Sequence, residues 1–394
     1  MIKKILQKIF KVSAYSFFSK LYGKIDESID FNTDKRIKVT NLNLEKKLNY
    51  KIYEVEGGRI YTDRIQDVAV IIDNKIIEGP SFQLRYKKEL QIYNSNIKDN
   101  VVFTKGTPRI LKNLEGNVLS LLTGGAGNDN YWHWLTDVLP RIALVNKCFN
   151  LDEINFFLLP NYKKRFQEET LDYLKIHKTK RISSEKFRHI KAKKIILTDH
   201  PVVVSGDSSS DAQNIPVWVI QWLKNNFLEK NINTQVKKKI YIDRDDKVIS
   251  KSSRSIINEK EVREHLIKEG FEPIKLAQTS FREQVNLFNN ADCIAGLHGA
   301  GFANIIFCRS GTKVIEFRNS STGRMFENLA KKNNLKYKSI IIGEKNLVKS
   351  KKIIEKDIND KSIDLIIETS KHAFINQQGS IEIPINELKR ALES

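Results

Sequence analysis

The chain alternates short apolar runs with amphipathic segments, and this order constrains its fold more than any other feature. Apolar runs at 117–125, 154–160 and 193–199 are separated by segments with helical spacing, and the same alternation returns over 217–332. This order is typical of parallel strands joined by crossover helices, because each helix covers one face of the sheet. The sequence therefore predicts an α/β fold with two successive parallel sheets.

Changes of pattern along the chain predict where the domains begin and end. A polar, serine-rich segment separates the two alternations, and strand signals such as KIYEV and VAVII add extra β-strands to the first one. We expect two Rossmann-like domains facing a cleft. The predicted parts are a basic amphipathic helix at 1–25, an N-terminal Rossmann-like domain at 26–205, a linker at 206–216, a C-terminal Rossmann-like domain at 217–345 and a helical C-terminal tail at 346–394.

The composition is that of a globular protein with an unusually basic surface. The 394 residues include 67 Lys and Arg against 47 Asp and Glu, a net charge of +20. Such a surface attracts polyanions, anionic lipids or phosphorylated small molecules. No zinc finger, helix-turn-helix or RNP-like motif is present, so we do not expect nucleic acid as the partner. Cys148, Cys293 and Cys308 lack metal-ligand spacing and are expected to be reduced and buried in a cytoplasmic protein.

The first 25 residues have helical spacing of apolar side chains with lysines between them. Ile2, Ile5, Leu6 and Ile9 follow one stripe, and no acidic residue precedes Asp26. Lysines interrupt every apolar run, so this segment is expected neither to span a bilayer nor to form a signal-peptide core. Two alternatives remain: a helix on an anionic membrane surface, which the lysines favour, or a helix docked on the protein's own core.

A glycine-rich junction interrupts the apolar stretch CIAGLHGAGFANIIF. Its strand-like part ends at His298, Gly299, Ala300 and Gly301, and helical spacing follows. A helix that begins directly after a strand directs free backbone N–H groups and a positive dipole outward, where a diphosphate would be stabilised. Glycine allows close approach of the backbone and positive φ values. The structural alternative is a tight turn that only packs helix on strand.

Charged residues follow other strands at the same predicted edge of this sheet. Arg244 comes after the strand at 238–244, Arg254 lies in the following loop, and Glu316 ends the strand VIEF. Arginine offers paired donors to phosphate, and a carboxylate could accept from ribose hydroxyls. The alternatives are solvated loop arginines and an ion pair of Glu316 with Arg318. Because the three converge on one edge, we favour a nucleotide site.

These residues, in this order and spacing, resemble glycosyltransferase family 61. The segments that carry the resemblance are NYWHWLTDVLPR at 130–141, Arg244, RSIINE at 254–259, FREQ at 281–284, GLHGAGFAN at 296–304 and VIE at 314–316. The resemblance implies a GT-B architecture, with the acceptor bound by the first domain and the donor by the second. It also implies inversion at the anomeric carbon and a UDP-sugar donor. Bacterial relatives of this kind serve capsule, exopolysaccharide or lipopolysaccharide biosynthesis.

The resemblance assigns the donor-binding residues, and no cofactor is expected because the nucleotide-sugar is a co-substrate. We take Arg244, Arg254, Glu283, His298, Gly299, Ala300, Gly301, Asn304 and Glu316 as this set. Asp243, Asp245 and Asp246 superficially resemble an acidic metal-binding motif, but a GT-B site needs no divalent ion, so no metal is predicted. The other expected partners are a saccharide acceptor, which is lipid-linked in one alternative, and an anionic membrane surface contacted by residues 1–25. The expected location is cytoplasmic, peripheral on the inner face of the membrane.

Inverting transfer needs a base for the acceptor hydroxyl and positive charge for the leaving diphosphate. His133 and Asp137 are four residues apart on a predicted helix and share one face, so they can form a hydrogen-bonded pair. We favour Asp137 as the base and His133 as its orienting partner or the alternate base. Trp132, Trp134 and Arg141 are taken as acceptor-binding. The structural alternative is a core histidine, with Asp137 paired to Arg141.

Two other classes of function are alternatives to a transferase. The charge and the phosphate-binding logic also suit a non-catalytic protein that binds nucleotide-sugars or polyanions. A hydrolase could use His133, Asp137 and a serine, but the sequence has no Gly-x-Ser-x-Gly nucleophile elbow. The transferase is therefore the favoured hypothesis.

Overall fold

A computed structural model gives the fold of most of the chain. It describes residues 2–45, 48–63, 67–81, 83, 85–87, 92–94, 96–124, 130–205, 208–229, 238–244, 254–320, 322–342 and 380–393. The predicted linker residues 206–207, the larger part of the predicted tail, and Asp245 and Asp246 lie outside these residues. The chain divides into two compact units, Met1–Ala212 and Gln213–Ser394.

The first unit combines many short strands with six helices in its described part. The strands are β1 (Glu27–Ile29), β2 (Ile37–Glu45), β3 (Leu48–Glu56), β4 (Arg59–Thr62), β5 (Val68–Ile72), β6 (Lys75–Ile77), β7 (Arg85–Lys87), β8 (Ile92–Asn94), β9 (Lys112–Ser120), β10 (Phe156–Leu159), β11 (Arg181–Ser183) and β12 (His189–Thr198). The helices are α1 (Ile2–Tyr22), α2 (Val102–Lys105), α3 (Tyr131–His133), α4 (Pro140–Val145), α5 (Arg165–Tyr173) and α6 (Ser208–Asp211), with a π-helix at Trp134–Val138. Short 3₁₀ turns occupy Ile97–Asp99, Leu151–Glu153 and Lys178–Lys180.

The large sheet of the first unit is mixed rather than purely parallel. β12, β9 and β10 are parallel neighbours, as the alternation of strands and helices predicts, and β11 adds a further parallel strand beside β10. On its other edge β12 pairs antiparallel with β3 and β4, which continue into the antiparallel strands β5 and β6. β5 is buried at all five positions, so its unbroken apolar sequence reflects cover on both faces. β12 therefore joins the parallel and antiparallel parts.

The second unit is built on a parallel sheet. Its strands are β13 (Lys238–Ile242), β14 (Ser255–Ile256), β15 (Phe271–Ile274), β16 (Ala291–Leu297), β17 (Lys313–Asn319), β18 (Lys336–Ile342) and β19 (Ser380–Ile381). The helices are α7 (Val217–Phe227), α8 (Glu259–Lys268), α9 (Phe281–Asn289), α10 (Met325–Lys332) and α11 (Ile385–Glu393), with 3₁₀ helices at Leu276–Gln278 and Ala300–Phe307. The strand order β15-β13-β16-β17-β18 is parallel throughout. The predicted α/β class is confirmed.

The last described residues belong to the core of the second unit. β19 pairs with β14, and Ile381, Ile383, Leu388 and Ala391 are buried in the cluster that covers one face of the parallel sheet. The amphipathic spacing of α11 explains this, because its apolar side chains recur at helical intervals. The segment that the sequence assigns to a tail therefore completes a hydrophobic core.

The C-terminal half of α1 is docked on the first unit. The Tyr22 hydroxyl accepts a hydrogen bond from the Leu111 amide at 2.9 Å, and its ring packs edge-on against His189. Phe17 and Leu21 point elsewhere, and they are 62% and 56% exposed. Docking therefore uses one face of the helix and leaves apolar side chains on another. No described helix is long and apolar enough to cross a membrane.

The cysteine prediction is correct for two of the three residues. Cys293 and Cys308 are buried in the second unit, and burial raises the pKa of the Cys293 thiol to about 11. Cys148 is exposed, which corrects the expectation that it is a buried small hydrophobe. It lies in the turn after α4, where the apolar spacing of the helix has ended. All three thiols are free.

Candidate functional site

A distorted helix carries the candidate acid–base residues of the first unit. The Asn130 side chain caps it by accepting from the amide of Trp132 at 2.9 Å. The middle turn is a π-helix, in which the Leu139 amide donates to the Trp134 carbonyl at 3.1 Å. Pro140 explains the wide turn, since a proline has no N–H to donate and its ring clashes with the carbonyl four residues earlier. Such turns are frequent at functional sites.

His133 and Asp137 form the hydrogen-bonded pair that their spacing predicts. Nδ1 of His133 lies 2.7 Å from Oδ2 of Asp137, and the Thr136 hydroxyl donates to Oδ1 at 2.7 Å. Both carboxylate oxygens are therefore engaged. The Asp137 side chain is 6% exposed, whereas that of His133 is 31% exposed. The imidazole is thus the accessible member of the pair, and the carboxylate lies behind it.

The pair stabilises its own charged form. Burial opposes a protonated imidazole, but the charge and hydrogen bond of Asp137 outweigh burial and raise the pKa of His133. Burial likewise opposes ionised Asp137, yet His133, with smaller contributions from His200 and Thr136, lowers the pKa of that carboxyl. An ionised Asp137 therefore makes His133 a stronger base.

His200 is a member of this cluster that sequence reasoning missed. Its Nδ1 accepts hydrogen bonds from the amides of Val202 and Val203, at 3.2 and 2.9 Å. The neutral ring must then carry its proton on Nε2, which lies 3.7 Å from Oδ2 of Asp137. Burial lowers the pKa of His200 to about 3, so the ring is neutral at physiological pH. The available signal was its place just after β12, at the carboxyl end of a parallel strand.

The three residues predicted to bind the acceptor are buried beside this cluster. Trp134 is fully buried, and its indole N–H donates to Thr170 Oγ1 at 2.8 Å, so it is a core residue. Trp132 is also buried. Arg141 is buried too; its Nε donates to the Asp137 backbone carbonyl at 3.1 Å and its Nη1 to the Thr198 carbonyl at 3.0 Å. Burial lowers the pKa of Arg141 to about 10. Arg141 therefore fixes the helix to the end of β12.

In the second unit, two predicted arginines converge on one backbone carbonyl. Arg244 Nη2 and Arg254 Nη1 donate to the carbonyl of His298, at 3.0 and 3.1 Å. Arg244 Nη1 also donates to the Arg254 carbonyl at 2.6 Å. Burial lowers the pKa of both guanidinium groups, that of Arg254 to about 10. The structure thus brings both cations to the glycine junction at the end of β16.

Close packing against side-chain ends, rather than backbone conformation, favours glycine at this junction. Gly299 has an extended backbone with φ of 170°, and a Cβ there would collide with Arg244 Nη2. A Cβ on Gly301 would lie 2.8 Å from Leu276 Cδ1. The expected use of positive φ is therefore wrong at these two positions. The 3₁₀ helix begins at Ala300, so the amides of its first turn have no partner within the helix.

Glu316 holds the ring of His298. One carboxylate oxygen contacts His298 Nδ1, and the other accepts from the Tyr337 hydroxyl. Glu316 and His298 are both buried. Burial lowers the pKa of His298, and Glu316 only partly offsets it. With both oxygens engaged, Glu316 positions His298, and within the described residues no ion pair joins it to Arg318, the alternative weighed from sequence.

Asn304 and Glu283 support the junction from behind. Asn304 is fully buried, and its amide nitrogen donates to Gln284 Oε1 at 2.9 Å and to the Gly301 carbonyl at 3.1 Å. Glu283 is exposed and forms the predicted capping box with Ser280 at the start of α9. These two predicted donor residues therefore have structural roles in the described contacts.

The described residues offer no cluster for a metal ion. No group of three or more His, Cys, Asp or Glu side chains with suitable proximity occurs among them. Asp243 lies after β13, and its carboxylate pairs with Arg263 at 3.3 Å.

The acid–base pair lies beside the carboxyl end of β12 in the mixed sheet of the first unit, and the cationic junction lies at the carboxyl end of β16 in the parallel sheet of the second, positions at which α/β sheets bind ligands. Comparison with known proteins agrees, since the sequence model of the family Glycosyltransferase 61 matches residues 131–315. This span includes His133, Asp137, Arg244, Arg254 and His298, and it supports membership of the chain in glycosyltransferase family 61. The protein is therefore a glycosyltransferase, and the non-catalytic alternative is set aside. No curated protein matches the chain.

Proposed function

We propose that the protein is an inverting glycosyltransferase that transfers a sugar from a UDP-sugar to a saccharide acceptor, with its two units in a GT-B arrangement. The observation that carries this proposal is the His133–Asp137 pair, in which a partly exposed imidazole is oriented by a buried carboxylate. Such a pair suits removal of a proton from an attacking hydroxyl. The family and the parallel sheet of the second unit support a nucleotide-sugar donor.

His133 is the better candidate for the base, which reverses the preference drawn from sequence. Both oxygens of Asp137 already accept hydrogen bonds, from His133 and Thr136, and the carboxylate is buried. In the proposed step, Nε2 of His133 takes the proton of the acceptor hydroxyl as its oxygen attacks the anomeric carbon. The bond from that carbon to the donor diphosphate breaks, and its electron pair goes to the phosphate oxygen. Asp137 is the positioning residue that stabilises the imidazolium.

The second unit supplies the positive potential for the leaving diphosphate. Arg244 and Arg254 converge on the His298 carbonyl, and the first amides of the 3₁₀ helix at Ala300 and Gly301 add N–H donors. Fixed cations and amides of this kind stabilise developing charge because they need no reorganisation during the reaction. We expect no metal or cofactor in this step.

We further propose that the enzyme acts at the cytoplasmic face of an anionic membrane, in capsule, exopolysaccharide or lipopolysaccharide biosynthesis. Phe17 and Leu21 of α1 are exposed apolar side chains, and the preceding sequence is rich in lysine. Apolar burial combined with lysines near anionic headgroups stabilises a helix on a membrane surface. A lipid-linked acceptor would fit this location.

A donor screen tests the proposal most directly. The intact protein is mixed in turn with UDP-, GDP- and CMP-sugars, and the shift of its unfolding temperature is measured. We expect stabilisation by a UDP-sugar and release of UDP when a suitable acceptor is added. Stabilisation by a GDP- or CMP-sugar only would contradict the proposed donor. Stabilisation by UDP together with unchanged turnover in His133→Gln would contradict the proposed base.

A further inference from the structure

Arg318 is a buried cation that the proposed reaction does not use. It lies near the end of β17, and the residue is 7% exposed. Its Nη1 donates to the Thr322 carbonyl at 2.8 Å, while the buried Nε has no hydrogen-bond acceptor. Within the described part of the chain no carboxylate lies within 4.0 Å of its guanidinium. A buried charge without a counter-ion is costly, so this arrangement favours an anionic ligand.

Arg318 lines an open groove on the second unit. The groove has a volume of about 490 Å³, and its walls include Arg324, Tyr337, Ser339 and Ile341. Glu327 is the acid in this wall, but it already pairs with Arg324 at 2.6 Å and with Lys331 at 2.8 Å. Its carboxylate is therefore committed to two other cations and forms no ion pair with Arg318. Ile341 adds exposed apolar surface beside the cations.

The groove and the cationic junction lie on different sides of His298 in the strand order. Arg244 follows β13, His298 follows β16, Arg318 belongs to β17, and Tyr337 belongs to the neighbouring strand β18. The His298 amide donates to the carbonyl of Phe317 at 2.8 Å. Phe317 immediately precedes Arg318, so His298 and Arg318 are neighbours across adjacent strands. Arg244 and Arg254 both donate to the His298 carbonyl, whereas Arg318 lines the groove together with Tyr337, Ser339 and Ile341 of β18.

From these observations we propose that the groove around Arg318 is a second anion site that binds a phosphate group other than the donor diphosphate. Guanidinium donors match the geometry of phosphate, and the carboxyl ends of parallel strands are where such sheets bind ligands. The phosphate could belong to a phosphorylated sugar or be free phosphate, and these two sources share the same chemistry. The separation of this site from the donor site rests on the proposed function, because the titration that tests it uses UDP to fill the donor site.

Calorimetric titration of the intact protein with inorganic phosphate, at saturating UDP, tests the site. We expect binding that persists with UDP present, and a dissociation constant for phosphate about tenfold higher in Arg318→Gln, while UDP affinity changes less than twofold. Arg324→Gln should also weaken the binding of phosphate. Because Arg324 is exposed, this variant is expected to fold normally and keeps the test valid if Arg318→Gln does not fold. Lys336→Gln is the matched control, because it removes one charge from β18 outside the groove.

Three results would overturn the proposal. The first is loss of phosphate binding when UDP saturates the protein, which would assign Arg318 to the donor site. The second is an equal effect of Arg318→Gln and Lys336→Gln, which would indicate only non-specific attraction to a basic surface. The third is unchanged phosphate affinity in both arginine variants. A parallel titration with glucose 1-phosphate separates the sources, since tighter binding than inorganic phosphate indicates a phosphorylated sugar and equal binding indicates free phosphate.

Discussion

At the scale of single residues, the decisive feature is how the hydrogen bonds of Asp137 are distributed. The Asp137 carboxylate is buried and accepts from His133 and Thr136, whereas the imidazole is partly exposed and presents its far edge. His200 adds a third, neutral group whose orientation is fixed by two backbone amides. In this cluster Asp137 orients the imidazole of His133, and the groups around Asp137 hold the carboxylate in place.

The fall of kcat/KM on the acidic side of the pH profile depends on the His133–Asp137 pair. The base must be neutral to act, so kcat/KM falls as pH decreases through the raised pKa of His133. In Asp137→Asn the charge that raises this pKa is lost and burial dominates, so the limb moves to lower pH. We also expect kcat to fall by about 10²–10⁴-fold, because the imidazolium loses its stabilising partner. Both values come from initial rates measured across pH.

Asp199→Asn is the matched control for this experiment. Asp199 is a neighbouring carboxyl whose pKa is raised by burial, and it accepts from the Tyr53 hydroxyl at 2.8 Å rather than from His133. The control should leave the acid limb in place. If Asp137→Asn also leaves the limb in place, His133 is not the base.

Sequence reasoning found this pair but not its surroundings, for a physical reason. His133 and Asp137 are four residues apart, so helical geometry is enough to bring them together. His200 is 63 residues from Asp137, and its approach depends on the parallel pairing of β12 with β9, which no local pattern specifies. Trp134 was misjudged because the sequence does not reveal that α5 places Thr170 against its indole.

At the scale of elements, the glycine junction and Arg244 pack against each other, so a change in one is expected to affect the other. The guanidinium of Arg244 occupies the space where a Cβ of Gly299 would lie, so Gly299→Ala must displace Arg244 from the His298 carbonyl. We expect Gly299→Ala and Arg244→Ala each to weaken UDP binding by about 1–3 kcal/mol. Because they remove the same contact, the double variant should lose much less than the sum.

Calorimetric titration of UDP against the four proteins of this cycle measures the coupling. Additive losses would mean that Gly299 acts independently of Arg244, for instance through direct approach to the phosphates. Unchanged UDP affinity in Arg244→Ala would remove that residue from the donor site.

Helix α1 combines the two alternatives that its sequence leaves open, because its faces differ. One face is docked through Tyr22, while Phe17 and Leu21 are exposed. We expect the double variant Phe17→Ser, Leu21→Ser to lower the partition of the protein onto anionic liposomes by about tenfold or more, since each apolar side chain contributes about 1.5–3 kcal/mol when fully buried. Sedimentation with liposomes of increasing phosphatidylserine content measures the partition.

Ile110→Ser is the control for the liposome experiment. Ile110 is an exposed apolar residue of the first unit outside α1, so its loss changes surface hydropathy but not the proposed membrane face. Equal partition of the double variant and the intact protein would leave docking on the first unit as the role of α1.

At the scale of the whole molecule, the order of strands and helices along the chain could be predicted, whereas the pairing of strands far apart in the sequence could not. The alternation of apolar runs predicts the parallel strands β13, β15, β16 and β17, since helical spacing follows each of them, but it does not identify β18. The antiparallel extension of β12 by β3 and β4 pairs residues that are 128 to 146 positions apart in the sequence, so no local signal specifies it. The GT-B arrangement of the two units stays a prediction.

Long-range packing that no local pattern specifies also explains why the sequence alone assigns the C-terminal segment to a tail. Its contribution to the stability of the second unit can be measured. Leu388 is fully buried in the core of the second unit, so Leu388→Ala should lower the free energy of unfolding of that unit by about 2–5 kcal/mol. Hydrogen exchange of the amides in β16 and β17 reports this value for the second unit. Lys389→Ala is the control, because it alters the exposed face of α11 and should change the value by less than about 0.5 kcal/mol. Since β19 pairs with β14 directly after Arg254, faster exchange in β14 than in the control protein should accompany the loss. Equal protection of β16 and β17 in both variants would contradict the predicted contribution of Leu388 to the core of the second unit.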